Sequence, residues 1–116
     1  MSKPLGPYTP VVRAGDWLVV SGQLGMVDGA LVHGGVAAEV RQALANMAAL
    51  LEAEGASLES VVKTTVFLTH MSDYAPMNEA YMAAFGDHRP ARAAVAVAGL
   101  PLSAKVEIEA WAYLPS

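Results

Sequence analysis

The chain has 116 residues, room for one domain around one core, and no cysteine, which excludes disulfides, thiol nucleophiles and zinc–thiolate sites. Its net charge is −4 and its 7 Lys and Arg residues are scattered, which argues against nucleic acid as the main partner, because phosphate neutralisation needs a basic stripe. Charged residues make up only 16% against about 25% in an ordinary soluble domain, so part of the surface is expected to be covered by further copies of the chain.

Residues 1–10 hold Pro4, Gly6, Pro7 and Pro10 and no apolar run, so no signal peptide is expected. No apolar stretch reaches the ~20 residues of a membrane span, and a cytoplasmic protein is the expectation. Tyr8 to Arg13 and Trp17 to Ser21 read as strands joined by a tight turn at Ala14-Gly15-Asp16. Gly22-Gln23-Leu24-Gly25 ends the second strand. Asp28-Gly29 turns the chain into a short third strand, Ala30-Leu31-Val32, which Gly34-Gly35 stops.

From Val36 to about Glu54 the period becomes helical. Val36, Val40, Ala43, Leu44, Met47, Leu50 and Leu51 form one stripe, and Gly55 is the C-terminal stop. Glu39, Arg41, Glu52 and Glu54 are predicted to face away from that stripe. Val61 to Leu68 has the highest β-branched content of any segment and reads as a strand. Ser72-Asp73 can cap a second helix, with Pro76 in its first turn and Gly86 at its end. Its stripe is Tyr74, Met77, Tyr81, Met82 and Phe85. Asn78 falls inside the stripe and reads as a structural residue satisfying loop backbone.

The last two segments also alternate as strands, with Gly99-Leu100-Pro101 between them as a predicted hairpin turn. In the first, Arg92, Ala94 and Ala96 share one face and Val95 and Val97 the other. In the second, Val106, Ile108, Ala110, Ala112 and Leu114 oppose Lys105, Glu107, Glu109, Trp111 and Tyr113. Aligning the apolar faces puts Arg92 and Glu107 on the same side of the sheet. The order is β-β-β-α-β-α-β-β in a single α+β domain over residues 1–116, with both helices covering one sheet face. The other face mixes Ala, Thr, Lys, Glu and aromatics. It suits an oligomer whose inter-subunit clefts take small ligands.

Arg92 is either a surface ion-pair residue or a carboxylate clamp, since a guanidinium fork binds carboxylates bidentately at any working pH. Glu107 could activate water or pass a proton, and Glu109 has the same facing; strand period does not choose between them. Tyr8 and Ser21 lie beside glycines, where either ligand binding or turn chemistry explains them. His33, His70 and His88 share no close spacing, so no metal site is expected, and Gly34-Gly35 lacks the pattern of a phosphate loop.

Several ordered motifs carry a family resemblance: Gly6-Pro7-Tyr8, Val20-Ser21-Gly22-Gln23, Arg41-Gln42-Ala43-Leu44 with Asn46, Val62 to Leu68, Asn78 with Tyr81, Pro90-Ala91-Arg92 and Val106-Glu107-Ile108. On these the chain resembles the RidA/YjgF family, once called L-PSP endoribonucleases. The resemblance implies a chorismate-mutase-like α+β fold, with a six-stranded mixed sheet and two helices packed on one face. It also implies a homotrimer whose sheets face a central barrel, with sites between subunits. The implied activity is hydrolysis of 2-imino acids and 2-aminoacrylate-type enamines to 2-oxo acids and ammonia, without cofactor or metal.

By position, Arg92 would bind the substrate carboxylate and Glu107 would position water and move protons. Tyr8, Ser21, Gly22 and Ala94 would line the pocket. Ala94 stands where many relatives have cysteine, and Gly25 where proline often stands. The loops at Asp28-Gly29 and Gly86 to Arg89 are short, which bears on substrate breadth. The competing readings are a non-catalytic metabolite-binding module, RNA cleavage, and chorismate mutase activity by fold analogy.

Overall fold

The computed structural model describes residues 4–116. Strand β1 (Val11–Ala14) and strand β2 (Trp17–Gln23) pair antiparallel, Val11 opposite Val20 and Ala14 opposite Trp17. Tyr8 precedes β1 rather than opening it. The register of β2 slips between Val20 and Gln23, leaving Ser21 and Gly22 in a bulge. The chain then leaves the main sheet for a two-strand ribbon, β3 (Met26–Val27) with β4 (Ala30–Leu31).

Helix α1 (Gly35–Ala53) follows the predicted stripe: Val40, Ala43, Leu44, Met47 and Leu51 have no exposed surface. Each large side chain buried this way contributes roughly 1.5–3 kcal/mol. The helix ends in a Schellman turn. Gly55 at φ 85° frees the chain to reverse, the Ala56 N–H reaches the Leu51 carbonyl at 2.9 Å, and the Gly55 N–H reaches that of Glu52 at 3.0 Å.

Strand β5 (Val61–Leu68), helix α2 (Tyr74–Phe85) and strand β6 (Ala91–Ala96) form a crossover unit, with β6 parallel to β5. A parallel pair needs such a connection, and α2 supplies it. Strand β7 (Val106–Tyr113) then inserts between β2 and β5, antiparallel to both, giving the sheet order β1-β2-β7-β5-β6.

Two sequence expectations are corrected here. The main sheet has five strands rather than six, because Ala30–Leu31 pairs only with Met26–Val27. Nor do β6 and β7 form a hairpin, since β5 lies between them. The alternation within each strand is as read, but the relative facing is inverted. Arg92 is in register with buried Thr64 and Ala94 with buried Val66, so they face the helices. Glu107 is in register with Phe67, on the opposite face. The larger aliphatic residue of β6, Val95, is the exposed one, at 43%. On this edge strand the helix-facing side holds Arg92, Ala94 and Ala96, of which Ala94 packs on the core.

Leu18, Val20, Thr64, Val66, Leu68, Val106, Ile108, Ala110 and Ala112 are buried beneath α1 and α2, so both helices do cover one sheet face. The other face is open and partly apolar. Trp17 packs edge-on against Trp111 at 6.1 Å between ring centres and against Tyr113 at 5.1 Å, with Val12 exposed nearby on β1.

Glu39 also departs from expectation. It is 4% exposed rather than solvent-facing, and its Oε1 accepts the Lys105 N–H at 2.8 Å. Gly25 explains the burial: a Cβ there would lie 2.6 Å from the Glu39 Cα and carbonyl oxygen, so only glycine lets the loop pass over α1. Buried in this way, Glu39 ties the approach to β7 against α1.

Candidate functional site

The bulge in β2 and the open face of β7 make the first half of the site. Gly22 has no side chain, and the Glu107 carboxyl fills the space beside it; a Cβ at Gly22 would come within 2.7 Å of Glu107 Cδ. Glu107 is half-buried at the edge of an open cleft of about 890 Å³, lined also by Tyr8, Gly22, Gln23, Met26 and Asn46. Burial pushes its carboxyl pKa above the ordinary carboxylate value, and the negative charge of Glu109 adds to the rise. A carboxyl tuned this way, next to room for a small molecule, can accept and return a proton nearer neutral pH.

The cleft wall is fixed by side chains on α1. Gln42 Nε2 donates to Asn46 Oδ1 at 2.8 Å, and Asn46 Nδ2 donates to the carbonyls of Leu24 at 3.2 Å and Met26 at 3.0 Å. Ser21 lies beside Gly22, but its hydroxyl donates to the Thr9 carbonyl at 2.7 Å, and its N–H to the Pro10 carbonyl at 2.9 Å. It therefore holds the segment bearing Tyr8 against β2. The Tyr8 hydroxyl accepts the Leu5 N–H at 3.3 Å.

Arg92 makes the second half. It is the second residue of β6, after Pro90-Ala91, and its guanidinium lies over α2. One Nη donates to Asn78 Oδ1 at 2.8 Å and to Met77 Sδ at 3.8 Å; the other donates to the Tyr74 hydroxyl at 3.0 Å. Its Cζ stands 4.9 Å from the Tyr81 ring centre and 5.6 Å from that of Tyr74. Tyr81 in turn shares a 2.7 Å hydrogen bond with Thr64. Every one of these partners is neutral, so the positive charge is oriented without being balanced. A guanidinium has five N–H donors, and three are used by these groups. Arg92 also lines a depression of about 300 Å³ with Asn78, Tyr81, Met82, Arg89 and Pro90, which has room for a small anion.

Of the residues singled out in the sequence, the structure gathers Tyr8, Ser21, Gly22 and Glu107 into one region. Arg92 lines a different depression, across the sheet, and Ala94 packs on the core beside the same helix face. Asn78, read as a loop-backbone partner, is instead a partner of Arg92. Tyr74 and Asn78 were legible in principle: Tyr74, Met77, Asn78 and Tyr81 share one face of α2, and an amide among apolar residues there needs a polar partner on the strand below. Among the described residues, no helix is long and apolar enough to cross a membrane.

The profile of the family described as Endoribonuclease L-PSP matches residues 1–114. A RutC family protein of Pyrococcus horikoshii is 46% identical over 113 residues, covering 96% of this chain and 90% of the relative. The human 2-iminobutanoate/2-iminopropanoate deaminase is 46% identical over 108 residues, covering 91% of this chain and 79% of that protein. The crystal structure of TdcF from E. coli with bound serine superposes with a TM-score of 0.89 at 36% identity, covering 95% of this chain and 90% of that one. The five-stranded sheet, the paired helices and these matches agree: the chain belongs to the RidA/YjgF family, whose profile bears the name Endoribonuclease L-PSP.

Proposed function

We propose that this protein hydrolyses 2-imino acids, and the 2-aminoacrylate-type enamines that tautomerise to them, giving 2-oxo acids and ammonia. The observation that carries the reading is the guanidinium of Arg92, oriented by neutral partners only and open to a shallow depression. A carboxylate satisfies its unused donors and its charge together. The deaminase named among the relatives and the serine bound by TdcF both fit a small ligand bearing a carboxylate next to a nitrogen-bearing carbon.

In this reading Arg92 holds the carboxylate and Glu107 holds the water. Water adds to the imine carbon as Glu107 takes one of its protons and returns it to the nitrogen, giving a carbinolamine with a new C–O bond. Glu107 then takes the hydroxyl proton and passes it to the amine, the C–N bond breaks as the C=O forms, and ammonia leaves a 2-oxo acid. Imines hydrolyse readily, so orientation and a proton route are enough. Tyr8 and Gly22 border the same cleft as Glu107, with Ser21 behind them.

Arg92 and Glu107 lie on opposite sheet faces, so a single small substrate reaches both only where two copies meet. We therefore propose a homotrimer with its sites between subunits. The uncovered sheet face bearing Trp17, Trp111 and Tyr113 supports assembly.

The test uses an amino-acid oxidase to generate 2-imino acids, with semicarbazide trapping whatever survives. Wild type is expected to deplete the imine and Arg92→Ala to leave it. Equal depletion by both removes Arg92 from the reaction. A wild type that binds 2-oxo acids yet hydrolyses no imine would make this a metabolite-binding module.

A further inference from the structure

Arg92 does not stand alone in its depression. Arg89 lines the same 300 Å³ space, with Pro90 between them in sequence and Asn78, Tyr81 and Met82 forming the α2 wall. No acidic residue is among the lining, although the chain as a whole is acidic at −4. Asp87 and Glu79 are near in sequence, but neither borders the space.

The segment bearing Arg89 is short and pinned. The His88 N–H reaches the Phe85 carbonyl at 3.2 Å, and His88 Nε2 donates to the Val61 carbonyl at 2.6 Å. One Nη of Arg89 donates to the carbonyls of Gly86 and His88, fixing the guanidinium by neutral groups, as Asn78 and Tyr74 fix Arg92. Both cations are felt at the phenol of Tyr81: burial pushes its pKa up, and the Thr64 hydrogen bond, then Arg92, then Arg89, oppose that rise.

Two guanidiniums held by neutral partners in one small space make a site for two negative charges. One carboxylate neutralises Arg92 and leaves the second cation, Arg89, at the exposed rim of the same depression. A ligand with a second carboxylate satisfies both, and its methylene spacer has Met82 and Pro90 to lie against. We infer that Arg89 is a specificity-determining residue and that the preferred substrates are 2-imino dicarboxylic acids, with one carboxylate on Arg92 and the side-chain carboxylate on Arg89. This rests on the hydrolase reading for the reaction, but the two-cation site itself does not.

The experiment compares 2-iminoglutarate and 2-iminopropanoate, made in place by oxidases acting on glutamate and alanine, with wild type, Arg89→Gln and Arg89→Lys. Wild type is expected to have the higher kcat/KM for 2-iminoglutarate. In Arg89→Gln the ratio of the two kcat/KM values falls about threefold to fivefold, the size of effect an ion pair at an exposed residue gives, and Arg89→Lys retains part of it. A ratio that Arg89→Gln does not move overturns the proposal.

Calorimetric titration with 2-oxoglutarate and pyruvate separates the two readings. Tighter 2-oxoglutarate binding that Arg89→Gln abolishes, in a protein that hydrolyses no imine, upholds the two-cation site and sinks the hydrolase. Hydrolysis of 2-iminopropanoate with no dicarboxylate preference in rate or binding does the reverse.

Discussion

The surroundings of Arg92 and Glu107 differ in how each charge is held. The guanidinium is gripped by Asn78, Tyr74 and the Tyr81 ring before any ligand arrives. The carboxyl lies in an open cleft beside a like charge, Glu109, and its proton affinity is set by burial. In the proposed hydrolysis Arg92 is the rigid, permanently charged binding group and Glu107 the tuned group that moves protons. That division suits a reaction in which the substrate must be held still while protons travel.

Changes at the rigid side should cost most. Arg92→Ala is expected to lower kcat/KM by about 10²–10³-fold, because loss of a paired charge leaves the substrate carboxylate and the α2 groups unsatisfied. Next comes the carboxyl side. Glu107→Gln keeps shape but cannot take the proton, and kcat should fall about 10²-fold with KM nearly held. A KM rise without a kcat fall would make Glu107 a binding group and erase the division.

Gly22→Ala probes the boundary. The added methyl meets the Glu107 carboxyl, which is the free end of a side chain and can give way. The fold should therefore persist while kcat drops about tenfold. Unchanged turnover would mean that Glu107 needs no fixed position.

The smallest effect concerns pH. If Glu107 works as a base, the rate falls as pH drops through its raised pKa. Glu109→Gln removes the like charge that adds to the rise, so the acid limb of the kcat/KM profile should move to lower pH, by less than about one unit because the pair is partly solvated. A shift to higher pH would sink the assignment.

Local pattern was enough for much of the fold. The α1 stripe, the stop at Gly55, the β5 strand and the inward face of β7 all follow from periodicity, and the buried set matches them. Pairing between distant segments was not legible. Gly99-Leu100-Pro101 looks like a hairpin turn, but nothing local says that β7 must pass over β5 and lie against β2. That error put Arg92 and Glu107 on one face, when the strand-to-strand register puts them on two.

Glu39 failed for a related reason. At the margin of the α1 stripe, its burial depends on Gly25 and Lys105, far away in sequence. The carboxyl half of the site was visible through Gly22 and Glu107. The grip on Arg92 was not, because it needs the α2–β6 contact.

The packing of Trp17 on Trp111 gives the molecule an optical reporter. These are the chain's two tryptophans, 36% and 46% exposed on the uncovered sheet face, and they form one emitting cluster. Covering that face removes water from both indoles and should blue-shift their fluorescence. Trp111 is four residues along β7 from Glu107, roughly 13 Å at strand spacing, so a substrate in the cleft does not touch it. Dilution followed by emission therefore tests the proposed association of copies, while absorbance of the trapped imine tests the proposed turnover in the same cuvette.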